Sequence, residues 1–250
     1  MAGILLTACS GTCATNTGAG VQSPSAATAA PSQGVTTPAL GSCPTEVPSS
    51  STTNPSSATP PSPLATSNLI NNPGADAETG APSNNEVVNP SGWTVRAGQP
   101  TAVQYGADGG FPTPNDPGPP ARGANFFAGG NVACSELVQV IDLSSRATDI
   151  DASKVTFVLS GWLGGYSGQD DFAIVTLTLG PTPSSLATYR IGPVLQPERQ
   201  GQTGLFYRAT SGTVAPGART ATIVIQMTRF AGTYNDGSAD SLALQLGTSS

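Results

Sequence analysis

The side chains best suited to gripping a ligand lie close together in one stretch, Ser160-Gly161-Trp162-Leu163-Gly164-Gly165-Tyr166-Ser167-Gly168-Gln169-Asp170-Asp171. It holds two aromatics, an amide and two acids. Aromatic faces stack on the C–H-rich faces of sugars, while amides and carboxylates hydrogen-bond the hydroxyls. Trp162 is the leading candidate contact, with Tyr166, Gln169, Asp170 and Asp171 beside it, and the interspersed glycines make the stretch read as a loop. The competing reading is packing. A tryptophan at a strand end also serves as core or edge filler, and Asp170-Asp171 also suits a turn or a second metal site. Tyr105, Phe111, Phe126, Phe127 and Tyr234 are secondary candidates. Phe126 and Phe127 are adjacent, so at least one of them must point into a core.

The residue types exclude several other chemistries. The chain has no histidine, which removes Ser-His-Asp and Cys-His catalysis and every His-ligated metal site. No two of its four cysteines have CxxC spacing. A general base would have to be a carboxylate, and a glycosidase needs two of them facing one cleft. Asp108, Asp116, Asp170, Asp171 and Asp236 are available, but no spacing singles out a pair, so no catalytic residue is assigned. Net charge is −6, Lys154 is the single lysine and the arginines are scattered, so the clustered cations that nucleic acid or an anionic membrane surface require are missing. No run reaches the ~18 apolar residues of a transmembrane helix.

The elements that would position these residues lie in the second part of the chain. Residues 14–66 are dominated by Ser, Thr, Pro, Ala and Gly, as in Pro48-Ser49-Ser50-Ser51-Thr52-Thr53. Such a segment buries too little surface to offset its ordering entropy, so 9–66 reads as a disordered linker, with Ser/Thr beside Pro as candidate O-glycosylation sites. Residues 67–250 change to short β-type runs between Gly, Pro, Asn and Asp turns. Candidate strands are Gly92–Arg96, Thr101–Tyr105, Gly123–Ala128, Glu136–Leu143, Lys154–Trp162, Phe172–Leu179, Leu186–Ile191, Gly204–Ser211, Thr220–Arg229 and Ser241–Leu246. Val155, Phe157 and Leu159 alternate with polar positions, as do Ile223 and Ile225, which predicts one buried and one wet face. By the same parity Trp162 falls on the wet face. Residues 144–154 are long enough for one helical turn, and 106–124 form a long Gly/Pro-rich loop of the kind that is often functional. The pattern predicts an all-β fold, an antiparallel β-sandwich or jelly roll.

Leu6-Thr7-Ala8-Cys9 resembles a bacterial lipobox, which makes 1–8 a lipoprotein signal segment and Cys9 the lipidated residue. Only eight residues precede Cys9 and none is basic, whereas such a signal needs a positive n-region and a longer apolar stretch. The expectation is therefore a reading frame that starts too late. An exported protein can keep disulfides. Cys13–Cys43 and Cys43–Cys134 are both open as pairings.

The domain opens with Asn68-Leu69-Ile70-Asn71-Asn72-Pro73-Gly74-Ala75-Asp76-Ala77-Glu78, continues with Gly92-Trp93-Thr94, and closes with Ala239-Asp240-Ser241-Leu242-Ala243-Leu244. These segments together resemble the galactose-binding-like jelly rolls, among them many bacterial carbohydrate-binding modules. The resemblance spans about residues 68–247. It implies a structural calcium held where the first and last strands run close together. The closing ligand would be Asp240; the opening one would be Asp76, standing where the family has Glu, or Glu78 if the motif carries a two-residue insertion. Calcium takes six to eight oxygens, which carboxylates and backbone carbonyls supply. The resemblance thus implies a non-catalytic, cell-surface or secreted module that binds carbohydrate or a cell-envelope glycan. A structural or adhesive surface protein making protein–protein contacts is the first alternative, and a carboxylate-dependent glycan hydrolase the second.

Overall fold

The computed structural model describes residues 67–181 and 183–248. The signal segment, Cys9, Cys13, Cys43 and the linker up to residue 66 lie outside the described residues. Within them the chain folds as a β-sandwich. The strands are β1 (Ala81–Ser83), β2 (Thr94–Ala97), β3 (Thr101–Asp108), β4 (Asn125–Gly130), β5 (Cys134–Asp142), β6 (Val155–Gly165), β7 (Phe172–Gly180), β8 (Ala187–Ile191), β9 (Gly204–Thr213), β10 (Thr220–Thr228) and β11 (Asn235–Thr248). A 3-10 turn (Ser144–Arg146) and a short helix α1 (Ala147–Asp151) supply the helical turn expected there.

A six-stranded sheet has the order β1-β3-β4-β11-β6-β9, and a five-stranded sheet the order β2-β5-β10-β7-β8. The short β1 pairs parallel with β3; the other pairings are antiparallel. The sequence alternation explains the layering. In β10, Ile223, Ile225 and Met227 are buried between the sheets, while Thr222, Val224 and Gln226 face outward. In β6, Val155, Phe157, Leu159 and Leu163 enter the same core, and Trp162 faces away from it.

Phe126 and Phe127 are both fully buried, on opposite faces of β4. Phe127 joins the core between the sheets. Phe126 joins a second cluster with Val103, Phe111, Ala128 and Tyr234, on the outer face of the six-stranded sheet. That cluster is roofed by the 106–124 loop, which inserts Phe111. Arg122 ties the loop together by donating to the carbonyls of Pro119, Thr113 and Asp116 and stands 4.9 Å over the Tyr105 ring. The loop then reaches β9, where Leu205 N–H donates to Pro117 O at 2.9 Å.

Three elements differ from the sequence expectation. β1 carries no β-forming side-chain pattern and lies ahead of the first expected strand, Gly92–Arg96. β6 runs on through Gly164 and Gly165, so Ser160–Gly165 is strand and the loop expected over 160–171 shrinks to 166–171. Gly164 is required there: a Cβ would stand 1.8 Å from Gly204 O on β9. β11 begins at Asn235, ahead of the expected Ser241, and contains the closing motif with a bulge between Asp240 and Ala243.

Candidate functional site

β6 and β9 are paired so that Trp162 stands directly opposite Tyr207. Directly opposed residues share a face, so both rings lie on the outer face of the six-stranded sheet, edge to face with centroids 5.8 Å apart. They form one side of a cavity of about 320 Å³, walled by Pro117 of the long loop and by Glu198, Gln200 and Gln202 of the β8–β9 connection. Arg208 also lines it, paired through Nη2 with Glu198 Oε2. Aromatic faces, amides and a charged pair around one open concavity are the composition of a polar small-ligand site.

The connection that forms the far wall is held by Arg199. This buried guanidinium donates from Nη1 to the carbonyls of Ser167 (2.9 Å) and Gln202 (2.6 Å), and from Nη2 to Gln169 O (2.5 Å). It thereby knits the 166–171 turn to the wall of the cavity. Burial lowers its pKa from the ordinary arginine value, opposed by the charges of Asp170, Asp171 and Asp236.

Of the five candidate ligand contacts, Trp162 lines the cavity and the other four do not. The Tyr166 ring packs against Gly110 of the long loop, and the Gln169 amide against Gly232. Asp170 Oδ1 accepts from Gln196 N–H at 3.2 Å. Asp171 is fully buried and accepts three backbone N–H groups, from Phe230 (2.6 Å), Ala231 (3.0 Å) and Asp236 (3.0 Å). Burial pushes its carboxyl up, and those three bonds pull it back. Asp170 and Asp171 are therefore loop anchors, the turn role that competed with ligand binding. Of the secondary aromatics, Phe111, Phe126 and Phe127 are buried in the clusters described above, Tyr234 meets Phe111 at 5.0 Å, and Tyr105 donates from Oη to Asp240; Trp93 donates from Nε1 to Asn72 O at 3.1 Å and packs edge-on against Phe127.

A second cluster joins the two ends of the domain. Asp240, in β11, is fully buried; its Oδ2 accepts from Tyr105 Oη at 2.6 Å and its Oδ1 from Ser241 N–H. Asp76 Oδ1 accepts from Asn125 N–H at 2.9 Å. Gly74 reveals how close the carboxylates are. A Cβ placed on it would stand 2.7 Å from Asp76 Oδ2 and 2.8 Å from Asp240 Oδ1, so a residue without a side chain keeps open a point between two acidic oxygens. Burial, with Asp76 beside it, pushes the Asp240 carboxyl up to about 7 against its hydrogen bonds from Tyr105 and Ser241. None of the ion pairs among the described residues involves either acid. Glu78 does other work: Oε1 accepts from Ser91 N–H at 2.7 Å and Oε2 from the Asn72 amide at 3.2 Å, bracing the opening turn. The donor set near Gly74 fits a hard, oxygen-seeking cation with two carboxylates. Among the described residues no group of three or more acid, histidine or cysteine side chains could hold a metal, so carbonyl oxygens would have to complete the shell.

No family model matches the chain, and no curated relative matches it either. Several solved structures are similar to it over part of its length. The enzymatically active domain of bacteriophage CBA120 tailspike protein 4 matches at 16% identity and a TM-score of 0.42, over 72% of this chain and 21% of that chain. A family 16 carbohydrate-binding module matches at 15% identity and a TM-score of 0.43, over 71% of this chain and 99% of the module. The module TmCBM61, solved in complex with β-1,4-galactotriose, matches at 13% identity and a TM-score of 0.38, over 73% of this chain and 99% of that one.

Proposed function

We propose that this β-sandwich is a non-catalytic carbohydrate-binding module that takes a glycan or cell-envelope saccharide in the cavity beside Trp162 and Tyr207. The observation that carries the reading is the outward-facing Trp162–Tyr207 pair in a cavity whose walls hold Glu198, Gln200, Gln202 and Arg208. Rings of this kind stack on sugar faces, and the polar walls bond hydroxyls. Hydrolysis would need two carboxylates facing the sugar. The described cavity lining holds one, Glu198, and it is tied to Arg208. The chain as a whole is read as an exported surface lipoprotein anchored at Cys9, its linker holding the domain away from the membrane.

Calcium belongs to the same proposal as a structural ion at Asp76 and Asp240. It would neutralise two carboxylates that otherwise face each other, the buried Asp240 and the exposed Asp76. It would also fasten the opening turn to the last strand, and it takes no part in sugar chemistry.

The test is a calorimetric titration of the full chain against a glycan panel with calcium present. A saturable hit is expected, weakened about two- to tenfold in Trp162→Ala and in Tyr207→Ala at unchanged fold, because ring stacking contributes about 0.5–1.5 kcal/mol. Absence of binding across bacterial, plant and host glycans would sink the reading and leave a protein-binding surface role.

A further inference from the structure

The charges in the cavity lining are spent within the protein. Arg208 gives Nη2 to Glu198 and Nη1 to Tyr207 O at 2.9 Å. Arg199 gives both its Nη groups to three carbonyls and stands among Asp170, Asp171 and Asp236. The Nε–H that each arginine leaves unmet is a buried atom, and by strand alternation Arg208 points to the face of β9 opposite Tyr207. What the lining still offers is neutral: the side-chain amides of Gln200 and Gln202, the indole N–H of Trp162 and the hydroxyl of Tyr207. None of these four groups makes a hydrogen bond among the described residues. An amide carries donors and an acceptor side by side, which complements adjacent hydroxyls.

Shape limits how much sugar enters. The planes of Trp162 and Tyr207 are inclined at 63°, whereas a flat, extended glycan needs ring faces parallel along its run. One sugar ring can stack on one aromatic and abut the edge of the other; a second in line meets no parallel face. At about 320 Å³ the cavity stands at the bottom of the roughly 300–1,000 Å³ range of small-ligand sites. The long loop also closes it toward the start of β9. There Leu205 N–H donates to Pro117 O at 2.9 Å, and a Cβ on Gly204 would stand 2.8 Å from the same oxygen. The opposite wall carries a backbone outlier. Gln200 holds a φ of 54°, in the left-handed region where glycine is unstrained. A side chain kept at such a position, with its amide on the cavity, points to a use for that amide.

We propose that the cavity takes the terminal residue of an uncharged saccharide chain, stacked at the Trp162–Tyr207 pair, with Gln200 as a specificity-determining contact to its hydroxyls. This rests on the carbohydrate-binding reading of the same cavity and narrows it to a ligand class and a mode of binding, at a chain end rather than along a chain.

The experiment titrates the full chain calorimetrically with gluco-, galacto-, manno- and xylo-oligosaccharides of one to six units, with the corresponding polymers, and with uronate oligosaccharides as charged counterparts. For the series that binds, affinity should reach its full value by the disaccharide and change less than about twofold thereafter. One protein should bind per chain, however long the chain. Gln200→Gly should weaken binding about two- to tenfold with a melting temperature at or above that of the native chain, since the substitution relieves the left-handed backbone. Affinity that climbs with each added unit, or several proteins on one long chain, would overturn the chain-end assignment and leave the carbohydrate reading standing. Tighter binding of the uronates would overturn the uncharged class, and undiminished affinity in Gln200→Gly would overturn the role of that amide. Binding to none of the saccharides would overturn both this inference and the reading it rests on.

Discussion

Gly74 is the residue at which the calcium proposal is most exposed to refutation. Its Cα faces Asp76 Oδ2 and Asp240 Oδ1, and a single methyl would come within 2.7 and 2.8 Å of them. Gly74→Ala should therefore push the two carboxylates apart or fill the point between them while leaving both charges in place. The expected outcome is loss of the melting-temperature gain on adding calcium, with the Trp162–Tyr207 cavity still competent for glycan. A calcium-dependent shift as large as in the native chain would place the ion elsewhere or nowhere. The acids differ in how far the sequence marks them: Asp240 and Asp76 are singled out by the resemblance of the opening and closing motifs, with Glu78 as the alternative to Asp76, whereas the sequence leaves Asp171 open between a turn and a ligand acid. Its three partners, the N–H groups of Phe230, Ala231 and Asp236, lie about sixty residues away, and no local pattern marks them.

At the scale of elements, the long 106–124 loop turns the outer face of the six-stranded sheet into a cavity. Phe111 anchors it among Phe126 and Tyr234, and Pro117 delivers its far end to β9. Phe111→Ala removes a buried ring from a cluster that shares no residue with the cavity lining. A cost of about 3–5 kcal/mol is expected, or roughly 10 °C in melting temperature for a domain of this size. Glycan affinity should fall as well, because the wall at Pro117 loses its support, and limited proteolysis should cut first within 106–124. A variant that melts lower but binds glycan as before would show that Pro117 is held by β9 alone. The strands themselves were largely legible, because alternation in β6 and β10 states which face is buried. β1 was not, since Ala81-Pro82-Ser83 has neither alternation nor β-branched residues and owes its place to pairing with β3. Parity put Trp162 on the outer face, but it could not supply Tyr207, whose partnership depends on β9 lying beside β6 across a long separation in sequence.

At the scale of the whole molecule, the buried acids predict an unusual pH profile, and calcium should change it. Burial pushes both Asp236 and Asp240 up to about 7, with Asp171 adding to the first and Asp76 to the second. In an unfolded chain each would titrate near 3.9. The folded state then holds protons that the unfolded state has released, so their contribution to stability is full below about pH 4 and is lost as pH rises to about 7. Asp142 and Asp151 work in the opposite sense: bonds from Ser144 and Arg219, respectively, hold their carboxyls below the usual range. Their contribution disappears as pH falls below about 4. In chelator, the melting temperature should accordingly rise as pH drops from 7 toward 4 and then turn down. Calcium competes with the proton on Asp240, so its affinity should grow as pH rises from 4 to 7 and flatten the slope over that interval. Asp240→Asn should remove both the calcium response and part of that slope, leaving the share that belongs to Asp236. A melt in chelator that is level from pH 4 to 7 would mean that neither acid is held protonated in the fold. A calcium response that survives in Asp240→Asn would detach the ion from the last strand.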